Sequence, residues 1–390
     1  MPHHADTARQ GIPQQVDDLI ARAVAAGASD VHLEPTAAGG EVRFRIDGLL
    51  RRDSVISTDV AAAMVARLMV LANLLTYRRD VPQEGAARVT VTPTPDASRS
   101  ASPTPRVAGE PARRSLPIDL RVSVIPTTHG LRAAVRFPAE LTQPKSLDAL
   151  GLDAPTRQLI DAFVHADGGV LAIVGPAGSG KTTTAYAVLE AIAADQPGLS
   201  LVSLEDPVER DLPAVTQIQV RPFGELSYAI ALRSMLRQDP QVLMLGEVRD
   251  AETAGIAMQA GLSGHRLVCT LHAADAAQAV ARLLEMGLEP YQVAGSLFGV
   301  IAQRLLRRKI GDGYAGRVPI GEAVRVDEAL RRRINDRAGM ETLRSTYGTA
   351  DGFVSLQNAA RRRIKDGSTD AAEVRRVLGL VPSPGNPGEG

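Results

Sequence analysis

The chain of 390 residues has one cysteine, no tryptophan and only 3% aromatic residues. A lone Cys269 cannot close an internal disulfide, and it cannot build a tetrathiolate zinc site. With so few aromatics, stacking platforms for single-stranded nucleic acid are not expected. A charge of one sign is also missing. Lys+Arg and Asp+Glu both number 44, so the balance calls for neither nucleic acid nor an anionic membrane. No apolar run approaches the roughly 18–20 residues of a membrane span. The start of the chain, MPHHADTARQGIPQQ, lacks the charged-then-apolar pattern of a secretory leader. These absences predict a protein of the reducing cytoplasm. The 44% apolar content suits a globular chain with a sizeable core, and the length allows two or three domains.

What is present is led by one motif. Gly175, Pro176, Ala177, Gly178, Ser179, Gly180, Lys181 and Thr182 fit G-x-x-x-x-G-K-[ST] at every fixed position, with Thr183 next in line. The apolar run GGVLAIV before it reads as a buried strand, and TTTAYAVLEAIAA after it as a helix. This strand–loop–helix context is what a phosphate-binding loop requires. Glycines let successive N–H groups point inward, and the helix start adds partial positive charge. In such a loop Lys181 reaches the β- and γ-phosphates of ATP, and the Thr182 hydroxyl serves Mg²⁺.

The rest of the chain falls into segments. Residues 1–15 read as a disordered lead-in. Residues 16–137 read as an α+β domain: a helix, the strand DVHLEP, a second strand EVRFRIDGLLRR, a helix near 60–75 and a final hairpin. Residues 91–117, rich in Pro, Ser, Ala and Arg without a period, read as a disordered insertion. Residues 138–150 read as a linker and hinge. From 151 to 380 apolar strands at 170–174, 200–204, 242–246 and 267–271 alternate with helices at 182–194, 227–237 and 250–262. That alternation predicts an α/β, mostly parallel sheet covered on both faces. From Ala276 onward the chain reads as helical, and 381–390 as a frayed tail.

Three further segments carry candidate chemistry. QVLMLGE is a hydrophobic strand ending in Glu247, the form of an element that holds Mg²⁺ through water. Glu205-Asp206-Pro207-Val208-Glu209 sets three carboxylates after the strand LVSL, and one of them would orient the attacking water. His265 and His272 flank the strand RLVCT. A histidine at a strand end can meet the γ-phosphate, although a lone histidine more often has a structural role.

Together these residues resemble the secretion ATPases that power type II secretion and type IV pilus assembly. GPAGSGKTTT, SLEDPVE, QVLMLGEVRDAETAGIAMQAGLSGH and CTLHAADA resemble that family's Walker A, Asp box, Walker B and His box, in order. ASDVHLEP, VRFRIDG, RRDVPQEGAAR and DLRVSVIPTTHG resemble its second N-terminal domain, and IAQRLLRR and GYAGRVPIGE continue the likeness. The resemblance implies a RecA-like ATPase domain after a smaller α+β domain. It makes Glu209 the preferred water-activating residue, with Glu205 as the alternative. Glu247 would assist Mg²⁺, and His272 would sense the γ-phosphate ahead of His265. Arg121 and Arg136, on the small domain's hairpin, would act as arginine fingers. A hexameric homo-oligomer at the inner face of the cytoplasmic membrane is implied, working on an inner-membrane platform protein by rotation between domains. The rivals are a motor for DNA uptake or transfer and an ATP-binding scaffold that does not hydrolyse.

The chain departs from that pattern in two places. The family's four-cysteine metal loop is reduced to Lys309-Ile310-Gly311-Asp312, so no zinc is expected. The family's extra N-terminal domain is not matched either. The C-terminal region resembles the extension and secretion branch. The basic clusters at 304–309, 331–333 and 361–363, expected on helices, suit solvated faces, subunit contacts or a patch facing acidic head groups.

Overall fold

The computed structural model describes residues 11–91, 116–138, 146–220 and 226–379. It divides into two compact units, Met1–Gln143 and Pro144–Gly390. The lead-in before residue 11, the core of the insertion at 92–115, the linker positions 139–145 and the tail from 380 lie outside the described residues. The expected linker is shorter than 138–150, because residues 147–150 form a helix whose Leu147 is buried in the second unit, and the expected insertion is shorter than 91–117, because 91 and 116–117 belong to strands.

In the first unit α1 (Ile12–Ala25) is followed by β1 (Asp30–Thr36), β2 (Gly39–Ile46), β3 (Leu49–Ile56), α2 (Thr58–Leu71), β4 (Gln83–Val91), β5 (Leu116–Thr127) and β6 (Gly130–Arg136). The strands form one antiparallel sheet in the order β3-β2-β1-β6-β5-β4. Helix α1 starts four residues earlier than expected, because Pro13 in its first turn already has the φ a helix needs. The segment EVRFRIDGLLRR is two strands rather than one. Asp47 and Gly48, at φ 50° and 83°, turn the chain between β2 and β3, the hairpin signal that Asp-Gly carries. Val16, Leu19 and Ala23 of α1 and Val65, Leu68 and Met69 of α2 pack with Val31, Leu33, Val122 and Val135 of the sheet in one apolar core.

The second unit begins with α3 (Leu147–Leu150), α4 (Ala154–Val164), β7 (Gly169–Val174), α5 (Lys181–Asp195), β8 (Leu201–Glu205) and β9 (Thr216–Gln219). It continues with α6 (Tyr228–Met235), β10 (Val242–Leu245), α7 (Ala251–Leu262), β11 (Arg266–Leu271), α8 (Ala276–Glu285) and α9 (Pro290–Ser296). It ends with β12 (Leu297–Ile310), β13 (Gly313–Arg325), α10 (Glu328–Asn335), α11 (Met340–Gly348), α12 (Leu356–Lys365) and α13 (Ala371–Leu378). The sheet order is β13-β12-β7-β11-β10-β8-β9, parallel throughout except for the antiparallel β12–β13 pair. One apolar layer, with α4 and α5, covers one face of the sheet, and a larger one, with α6 to α9, covers the other. The expected α/β class with a mostly parallel sheet holds.

The expectation of an all-helical chain after Ala276 does not hold. Residues 297–325 form a long hairpin, and the basic cluster 304–309 lies on β12. The reason is burial on both faces. The first seven residues of β12 are all buried beside β7, so no alternation betrays the strand. The other two basic clusters do fall on helices, α10 and α12.

Candidate active site

The phosphate-binding loop joins β7, buried along its whole length, to α5, which begins at Lys181. Two glycines are obligatory here. Gly175 has φ 156°, and a Cβ on it would lie 2.5 Å from Ser179 Oγ and 2.6 Å from the Gln303 carbonyl. Gly180 has φ 87°, and its Cβ would lie 2.8 Å from Gln303 Nε2. Pro176, Ala177 and Gly178 are exposed at the loop's crest. Lys181 Nζ folds back onto the loop, donating to the carbonyls of Gly175 (2.9 Å) and Pro176 (3.0 Å). Burial pulls its ammonium below the ordinary lysine value; Arg304 acts the same way, and Glu247 and Glu209 oppose it.

A strand of the overlooked hairpin braces the loop. In β12 Ala302 is level with Val174, so Gln303 runs alongside Gly175. Gln303, 2% exposed, donates to the Ser179 carbonyl at 2.8 Å and accepts from Thr184 Oγ1 at 2.8 Å. Next to it Arg304 donates to the carbonyls of Gln303 and Ala274.

The C-terminal ends of β8, β10 and β11 meet at the same edge. Glu247 accepts from Arg249 Nε at 2.6 Å, and its other oxygen lies 2.9 Å from His272 Nε2. Arg249 also reaches Asp206 at 3.1 Å. Thr270 Oγ1 donates to the Gly246 carbonyl, which holds the turn after β10 against β11. Glu209 is exposed on the loop after β8. Glu205 is not: it is 2% exposed and its carboxylate is taken up by Tyr186, Ser203 and Gln217.

The donors present suit a hard cation that brings its own ligands. The Thr182 hydroxyl at the start of α5 and the Glu247 carboxylate are oxygen donors, and no group of three or more His, Cys, Asp or Glu among the described residues forms a protein cage for a metal. Mg²⁺ is bound in this way, through one or two carboxylate or hydroxyl groups plus water and substrate phosphate. The loop also buries one hydroxyl without a partner, Ser179 Oγ.

A family model described as "Type II/IV secretion system protein" matches residues 5–376. The chain belongs to that family. It is 37% identical over 384 residues to the type II secretion system protein HxcR of Pseudomonas aeruginosa, covering 93% of this chain and 76% of HxcR. It is 32% identical over 399 residues to the type II secretion system ATPase E of Vibrio cholerae, covering 93% and 74%. The type IV pilus assembly ATPase PilB of Thermus thermophilus is 32% identical over 403 residues, which span 90% of this chain and 43% of PilB. Among solved structures, the pilus retraction motor PilT with bound ADP superposes with a TM-score of 0.57 at 25% identity, covering 92% of this chain and 98% of PilT. The Legionella pneumophila ATPase DotB, at 19% identity, shares the fold with a TM-score of 0.70 over 96% of this chain and 97% of its own.

Within this Type II/IV secretion system protein, the residues singled out from sequence divide by location. Lys181, Thr182, Thr183, Glu247 and His272 lie at one edge of the second unit's sheet. His265 lies at the opposite end of β11, bonded to the Ala260 carbonyl. Arg121 and Arg136 belong to the first unit, where they face each other across β5 and β6. Both are exposed, and Arg136 pairs with Asp30 at 3.0 Å. The sequence reading missed Gln303, Arg249 and Tyr186. A glutamine inside the apolar run VIAQRLL was the signal available for the first.

Proposed function

We propose that this ATPase is a Mg²⁺-dependent motor of a type II secretion or type IV pilus machine, working as a hexameric ring. One observation carries the chemistry: the phosphate loop follows β7, Glu247 follows the parallel strand β10, and Glu209 follows β8 with its N–H bonded to Tyr186 of the helix that Lys181 begins. Ligands of open α/β sheets bind at such strand ends.

In this reading the loop 175–182 cradles the phosphates, and Lys181 leaves its two carbonyls to meet the β- and γ-oxygens. Thr182 and Glu247 hold Mg²⁺, which neutralises charge on the phosphates when bound. Glu209 orients a water and takes its proton as oxygen attacks the γ-phosphorus and ADP leaves. His272, tied to Glu247, registers whether the γ-phosphate is there. Arg121 and Arg136 steady the developing charge from the first unit. The resulting turn of one unit against the other is passed to a platform protein in the inner membrane. The motor would then sit in the cytoplasm as a peripheral protein. The family membership, and the absence of any described helix long and apolar enough to cross a membrane, support this reading.

The test is phosphate release by the wild type, Lys181→Ala and Glu209→Gln. Turnover in the wild type alone is expected. Full turnover in Glu209→Gln would remove Glu209 as the base. No turnover in any of the three would favour a binding scaffold.

A further inference from the structure

The loop that carries Glu209 rests on a buried polar cluster. At its centre is Tyr186 of α5, which is fully buried. Its hydroxyl donates to Glu205 Oε2 and accepts from the backbone N–H of Glu209 at 3.1 Å. The other Glu205 oxygen accepts from Ser203 Oγ at 2.5 Å and Gln217 Nε2 at 3.0 Å. Gln217 extends the clamp, donating to the Arg210 carbonyl at 2.9 Å and accepting from the Leu212 N–H at 2.8 Å. The Arg210 side chain, 6% exposed, lies 5.5 Å from the Tyr186 ring centre and pairs with Glu190 at 3.0 Å.

The direction of the Tyr186 hydroxyl matters. A phenol has one proton and two lone pairs. Glu205, which only accepts, takes the proton and so turns a lone pair towards the Glu209 N–H. Without that carboxylate the proton could point at the amide, donor against donor. Phenylalanine would fill the same space, so packing alone does not call for a hydroxyl here. Tyr186 also follows Lys181 by just over one turn on the same helix, and α5 is anchored in the core along its length.

We infer that Tyr186 is a positioning residue for ATP hydrolysis: its hydroxyl, aimed by Glu205, fixes the backbone at Glu209 relative to the helix that carries Lys181. The inference rests on Glu209 acting on the water. It gives Glu205 the task of orienting Tyr186.

The test compares full-length wild type, Tyr186→Phe, Glu205→Gln and Glu209→Gln. Steady-state ATP hydrolysis is measured with Mg²⁺, together with amide hydrogen exchange over 206–212. For Tyr186→Phe a fall in kcat of about tenfold or more is expected with KM within about twofold, since misplacing a reacting group lowers rate rather than binding. Exchange should quicken at 206–212 and stay unchanged along α5. Should Tyr186→Phe fail to fold, Glu205→Gln carries the test. Its amide keeps the shape but sets an N–H against Tyr186 or Gln217, and the same split of kcat from KM is expected. Wild-type kcat in Tyr186→Phe or a folded Glu205→Gln, with Glu209→Gln inactive, would overturn the inference and leave the base assignment standing. Full activity in Glu209→Gln would overturn both.

Discussion

Replacing Glu373 should loosen the last helices from the sheet by about 3 kcal/mol. Glu373 is fully buried on α13. It accepts from the Arg307 backbone N–H at 2.9 Å, from Arg307 Nε at 2.8 Å and from Arg376 Nε at 2.8 Å. Burial alone would raise its carboxyl, but the hydrogen bonds from Arg376 and Arg307 outweigh burial and hold it down at about 2, against an ordinary 4.5. A depressed carboxylate stabilises in full above its unfolded value and loses that contribution as pH falls towards its folded value. The window is therefore about pH 4.5 down to about 2, and the shift of about 2.5 units corresponds to about 3–4 kcal/mol as an upper bound. Mutation gives a second route. Glu373→Ala leaves Arg307, only 14% exposed, without its acid, and breaking such a pair costs about 3–5 kcal/mol. The lower end applies, since Arg307 keeps its stacking on Tyr314, 4.0 Å from the ring centre. The assay is urea-dependent proteolysis of α12 and α13 from pH 7 to pH 2.5, for wild type and Glu373→Ala. A loss of about 3 kcal/mol at pH 7 is expected, with the mutant's curve flatter between pH 4.5 and 2.5. A difference below about 1 kcal/mol at pH 7, or parallel pH curves, would refute the reasoning.

Gly175→Ala should lower hydrolysis about 100-fold or more while circular dichroism stays the same, because its Cβ collides with Ser179 and Gln303 and displaces the loop by a fraction of an ångström. Gln303→Leu should weaken nucleotide binding about tenfold in a titration with a fluorescent ADP, since it strips the Ser179 carbonyl and Thr184 hydroxyl of partners at a cost of about 1–3 kcal/mol. Glu247→Gln should raise the Mg²⁺ concentration for half-maximal hydrolysis about tenfold, the loss of roughly one charge-assisted contact. An unchanged Mg²⁺ requirement would take Glu247 out of the metal's surroundings.

The strand, loop and helix around Lys181 could be read directly because the signal is local: fixed glycines between an apolar run and a helical one. The strand ends carrying Glu247 and His272 were legible for the same reason. The β12–β13 hairpin was hidden, since a strand buried on both faces and rich in Leu and Arg has no period that distinguishes it from a helix. The roles of Glu205 and Glu209 could not be separated from the segment SLEDPVE. Whether a carboxylate faces water or a buried tyrosine is decided by α5 and β9, both outside that segment. Tyr186 looked like core filling in AYAVLEAI, and only the folded arrangement brings its hydroxyl to the loop beyond β8.

Gln303 and Arg307 sit four residues apart on β12, about 13 Å along a strand. The first grips the phosphate loop and the second is bolted to α13 through Glu373. Both points lie on a strand paired with its neighbours on either side, so their spacing is set by the sheet. Ser179 and α13 therefore share one strand as their common support. The C-terminal helices thus hang from the same strand that braces the nucleotide loop, like two brackets on one rail.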